Sequence, residues 1–126
     1  MKISVSCAQL LPKLGDRAAN LEKMSVYVEQ IMAEKPGTNL IVFPELMTSG
    51  YEGTPEMFQE LAETLPNGES MQVMGALAKK HHVHIIYGLP ERDPVLTDVL
   101  YNAAVLINSD GIAVGTYRKV HPFGVD

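Results

Sequence analysis

Asn39-Leu40-Ile41-Val42-Phe43-Pro44-Glu45 is the stretch from which the fold of this chain can be read. A short apolar run of this kind suits a strand covered on both faces. Pro44 closes it, because a proline has no N–H to give to a sheet ladder. Glu45 therefore falls just past the carboxyl end of a buried strand, where open α/β sheets usually carry their chemistry. Working back, Pro36-Gly37 stops a helix predicted over residues 16–35. Asp16 caps it, and Leu21, Met24, Val28 and Ile31 recur at helical spacing on one face. Before it come a turn at Pro12 to Gly15 and an apolar segment, residues 2–10, that reads as a first strand buried on both faces. A strand-helix-strand unit of this size implies a parallel pair with a right-handed crossover. The fold class is α/β.

Working forward, residues 55–64 and 69–82 read as helices separated by Pro66-Asn67-Gly68. His84 to Leu89 is a third strand closed by Pro90, and Asp93 to Asp98 is a polar loop. Tyr101 to Ile107 and Ile112 to Tyr117 flank Asn108-Ser109-Asp110-Gly111, a hairpin signal because Gly111 can adopt positive φ. With 126 residues and 46% hydrophobic content the chain suffices for one core, hence one domain over 1–126. Without Trp, that core must be built from aliphatic residues and seven Met. The net charge of −5, with no basic cluster, argues against a nucleic-acid partner. No stretch approaches the roughly 20 apolar residues of a membrane span, and Met1 to Val5 has no signal-peptide pattern. A single cysteine forms no internal disulfide, which suits a reducing cytoplasm.

Few residues could carry chemistry. Glu45 beside apolar neighbours is a carboxylate whose pKa desolvation would raise, as a general base requires; the competing reading is a solvated strand-end Glu. Lys119, at the end of the second hairpin strand, would in most proteins be a surface residue. Cys7, between Ser6 and Ala8 in the first strand, reads as a buried small hydrophobe. His81, His82 and His84 have no accompanying Cys or carboxylate cluster, so no metal site is assigned. His81 and His82 instead suit a helix C-terminus. Glu91 is a conceivable second carboxylate near the site, but reads rather as an exposed loop partner of Arg92. The glycines make no phosphate-binding pattern, and no cofactor is implied.

Two motifs join these candidates. Phe43-Pro44-Glu45-Leu46 with Gly50-Tyr51, and Tyr117-Arg118-Lys119-Val120-His121-Pro122-Phe123-Gly124, together resemble the glutamate and lysine motifs of the nitrilase (carbon-nitrogen hydrolase) superfamily. Ala8-Gln9, Tyr87-Gly88-Leu89-Pro90-Glu91-Arg92, Tyr101-Asn102 and Asp110-Gly111 fall in the same order, and the pieces look most like amidase members acting on small aliphatic amides. The resemblance implies a four-layer α-β-β-α sandwich, of which this chain would supply the N-terminal half, a mixed sheet with helices on one face. It implies a Glu-Lys-Cys triad in which Glu45 is the base and Lys119 steadies the oxyanion or donates a proton. Tyr51 and His121 become candidate substrate-binding residues. Pro122 stands where the family usually has Leu, and biases His121 toward extended geometry.

The family nucleophile follows the lysine motif, at a sharp strand-to-helix turn, and Cys7 has none of that context. The expectation is thus a truncated hydrolase domain, inactive by itself on its small-molecule amide. Two alternatives stay open: a non-catalytic binding or regulatory half-domain, and one part of a split enzyme. Family members commonly self-associate through their sandwich faces, so a homo-oligomer is expected by analogy.

Overall fold

In the computed structural model, which describes residues 1–123, the chain runs β1 (Val5–Cys7), α1 (Arg17–Glu34), β2 (Leu40–Val42), α2 (Pro55–Leu61), α3 (Glu69–His81), β3 (His84–Arg92), β4 (Leu100–Ile107) and β5 (Ala113–Arg118). The strands form one mixed sheet in the order β1-β2-β3-β4-β5, parallel from β1 to β3 and antiparallel from β3 to β5.

Local chemistry explains the helix limits. The Asp16 side chain accepts from the Ala19 N–H at 3.0 Å, and Lys35 closes α1 one residue before Pro36. Helix α3 begins after Gly68, which has no side chain to cap it; the buried Glu63 carboxylate accepts from Ser70 N–H instead, at 2.9 Å. It stops at His81 because His82 turns left-handed, with φ 51°.

Helices α1 and α3 cover one face of the sheet. There Ile41, Ile85, Tyr87, Val105 and Ile107 pack with Met24 and Val28 of α1 and Met71, Met74 and Ala78 of α3. Each fully buried side chain of this size contributes about 1.5–3 kcal/mol. The period of two sends the alternate residues to the other face. Leu40, Val42, Ile86, Ala104 and Leu106 are half-buried there, while Val5 and Tyr117 are 46% and 62% exposed. Helix α3 meets the β4–β5 turn backbone to backbone: a Cβ on Gly111 (φ +81°) would lie 2.5 Å from the Gly75 carbonyl oxygen.

Two strand readings are corrected. The first strand is three residues at the sheet edge, with Val5 and Cys7 exposed, so it is not buried on both faces and Cys7 is no core residue. An apolar composition cannot distinguish a central strand from an edge strand whose outer face is open. The third strand does not end at Pro90 but continues to Arg92. The Pro90 carbonyl accepts from Glu63 N–H at 3.0 Å, on the side away from β4. Its nitrogen shares that side, so the missing donor costs no bond to β4.

Candidate active site

Glu45 lies three residues past β2, held over the neighbouring strand by backbone contacts. Gly88 of β3 donates to the Pro44 carbonyl at 3.2 Å and accepts from Thr48 N–H at 3.4 Å. The next residue, Leu46, adopts φ 48°, a left-handed conformation that turns the chain sharply. A Cβ on Gly88 would stand 2.4 Å from the Leu46 nitrogen and 2.8 Å from the Glu45 Cα. Only glycine allows that approach.

From the other end of the sheet comes Lys119, directly after β5. Its N–H donates to the Asn102 carbonyl at 2.8 Å, continuing the β4–β5 ladder by one residue. Its Nζ reaches the Glu45 Oε1 at 2.8 Å, and the Asn102 Nδ2 donates to the same oxygen at 2.6 Å. The two charged residues are not on neighbouring strands, as β3 and β4 lie between β2 and β5. Asn102, facing the open side from β4, closes the gap.

Electrostatics here reverse one expectation. Glu45 is not buried enough for desolvation to raise its pKa; its side chain is 43% exposed. The Lys119 ammonium, with Asn102 assisting, holds the carboxyl below its ordinary range. In turn the bond to Glu45 raises the pKa of Lys119. The resting pair is carboxylate and ammonium.

Glu45, Lys119 and Asn102 line an open depression of about 400 Å³ together with Phe43, Ile86 and Ala104, the last two half-buried on the uncovered face. Tyr51, exposed, lines an adjoining depression that shares Glu45. His121 is exposed two residues past Lys119 and lines neither of these depressions; Gly124, which ends its motif, lies outside the described residues. Cys7 lines neither depression. Among the described residues no cluster of three or more metal-ligating side chains occurs.

Glu91 is a correction of a different kind. It is buried on β3, not exposed in a loop, and it pairs with Arg118 rather than Arg92. Both carboxylate oxygens accept from the Arg118 guanidinium, at 2.9 and 2.8 Å. Arg92 instead reaches Gln59 and the Thr97 carbonyl.

Sequence reading missed Gly88 and Asn102 as site residues, although both leave a trace. A glycine inside a strand pattern signals close backbone approach. Asn102 is a polar residue within the otherwise apolar run of β4.

Comparison with known proteins identifies the family. A family model described as carbon-nitrogen hydrolase matches residues 4–126. The chain is 45% identical, over its whole length, to a probable nitrilase of Schizosaccharomyces pombe, of which it covers 46%. It is 36% identical over 99% of its length to the omega-amidase NIT3 of Saccharomyces cerevisiae, covering 43% of that protein. The crystal structure of Saccharomyces cerevisiae Nit3, a nitrilase-superfamily member, superposes with a TM-score of 0.83 at 33% identity, covering 94% of this chain and 44% of that one. The chain thus spans about half the length of the curated relatives it matches. Its mixed sheet, helices on one face, is the N-terminal part of the nitrilase fold, and the chain belongs to the carbon-nitrogen hydrolase family.

Proposed function

We propose that this chain forms the N-terminal half of a hydrolase for a small aliphatic amide, with Glu45 and Lys119 as two members of a Glu-Lys-Cys triad. The observation that carries this reading is the 2.8 Å contact between Lys119 Nζ and Glu45 Oε1, at the carboxyl end of the sheet and open to solvent on one side.

In this scheme a cysteine thiol outside these 126 residues attacks the amide carbon while Glu45 takes its proton. Lys119 donates to the developing oxyanion. The Glu45 proton passes to the leaving nitrogen and ammonia departs, leaving a thioester. Water then gives a proton to Glu45 and attacks the thioester carbon; the acid is released and the proton returns to the thiolate. The resting ion pair suits this sequence, because a base must begin ionised. As Lys119 turns toward the oxyanion, Glu45 loses the contact that depresses its pKa and becomes a stronger base. Tyr51, beside Glu45, and His121, past Lys119, would contact substrate. An exposed Cys7 stays reduced in the cytoplasm, where we place the protein.

The test is ammonia release from small amides. The 126-residue chain alone should release none, and Cys7→Ser should change nothing. Fusing the remaining half of the Saccharomyces cerevisiae omega-amidase after residue 126 should give activity that Glu45→Gln and Lys119→Met each abolish. A folded fusion whose activity survives either substitution would overturn the reading.

A further inference from the structure

Lys119 poses a mechanical problem that Glu45 does not share. Its residue follows β5, an edge strand bonded on one side only and exposed along most of its length. The end of such a strand is where a sheet frays most easily. Yet the ammonium must stay within hydrogen-bond reach of a carboxylate delivered from β2, on the far side of two strands.

On the helix-covered face, one residue earlier, Arg118 reaches across β4. Its Nε and terminal nitrogen donate to both oxygens of Glu91 on β3, whose side chain is only 6% exposed. The guanidinium lies over the Tyr101 ring, 3.8 Å from the centroid. That ring is held by its own hydroxyl, which donates to Asp93 at 2.8 Å, and Asp93 also caps the Val95 and Leu96 N–H groups. Three strands are therefore tied together at residue 118. Because side chains alternate, fixing Arg118 toward the covered face sends Lys119 to the open one. The Lys119 N–H bonds the backbone of Asn102, whose side chain holds Glu45.

We infer that the Glu91–Arg118 pair, braced by Tyr101, is the positioning device for Lys119: it pins the free end of β5 so that the ammonium meets Glu45. The inference rests on the reading of Lys119 as a functional residue. A paired arginine fork serves here better than a lysine, since two parallel bonds fix orientation as well as distance.

Lys119 itself supplies the readout. In isotope-labelled chain, its side-chain Cε–H NMR signal is followed against pH. Glu45→Gln sets the midpoint of an unpaired Lys119. Glu91→Gln should move the midpoint most of the way from the wild-type value down to that reference, with the core signals of Ile41 and Ile85 unmoved. Arg118→Lys, which keeps the charge but not the fork, should do the same. A wild-type midpoint in either variant would overturn the inference and show a pair that serves the sheet alone. Should a single substitution unfold the chain, Glu91→Gln with Arg118→Gln leaves no buried charge unpaired. That double variant should fold and show the lowered midpoint; if it unfolds, the pair holds the fold as a whole and the inference fails. None of these outcomes bears on the hydrolase reading, which stands or falls on activity of the fusion.

Discussion

Gly88→Ala should dislodge Glu45 without touching any charged group. The added methyl would sit 2.4 Å from the Leu46 nitrogen, 2.8 Å from the Glu45 Cα and 2.9 Å from the Glu45 carbonyl carbon. Ordinary van der Waals contact begins near 3.4 Å, so the 45–46 backbone must retreat by about 1 Å. No side-chain rotation relieves this, because all three neighbours are main-chain atoms. Leu46 has little room to adapt, being already left-handed at φ 48°. A retreat of that size takes Glu45 Oε1, now 2.8 Å from Lys119 Nζ, out of hydrogen-bonding distance. Overpacking of this kind costs about 1–3 kcal/mol, whereas an ion pair screened by solvent adds little. The stability loss should therefore come mainly from the clash, and urea unfolding measures it. The displaced carboxylate is read separately, by the Lys119 NMR midpoint, which should fall toward that of Glu45→Gln. In the active fusion a misplacement of about 1 Å should lower kcat/KM by roughly 10²-fold. A Gly88→Ala chain of wild-type stability, with Lys119 titrating as before, would refute the argument.

Other expectations follow from the same structure. Gly111→Ala combines a left-handed backbone with a Cβ 2.5 Å from the Gly75 carbonyl, so urea unfolding should show a loss of about 2–4 kcal/mol. Cys7 should react with a thiol reagent in the native chain as fast as after unfolding, since it is exposed on the edge strand; protection would restore the buried reading. The Glu45–Lys119 contact contributes stability above the ordinary Glu pKa of 4.5 and loses it as pH falls through the depressed value. It is likewise fully present below the ordinary Lys pKa of 10.5 and lost as pH rises through the raised one. Stability of Glu45→Gln, measured from pH 7 downward, should fall less steeply than wild type, and equal slopes would exclude the effect. Finally, light scattering should show the chain self-associating through the uncovered face of Leu40, Val42, Ile86 and Leu106, and a monodisperse monomer would argue that this face is tolerated bare.

Sequence by itself determined the elements and their order. The helical spacing of Leu21, Met24 and Val28, the Asp16 cap, the Pro36-Gly37 stop and the Gly111 turn each act through neighbours a few residues away, so local reading recovers them. It also marked Glu45 and Lys119, because each belongs to a contiguous motif. Tertiary structure alone decided what depends on partners distant in the chain. Cys7 is exposed because β1 lies at the sheet edge and its register turns Val5 and Cys7 to the uncovered face, which no feature of Val5-Ser6-Cys7 reveals. Glu91 is buried because Arg118, 27 residues on, crosses a strand to meet it. The pKa of Glu45 falls instead of rising because an ammonium 74 residues away outweighs desolvation. Burial and charge pairing are set by where the sheet brings residues together, and a linear pattern holds that only where contact is local.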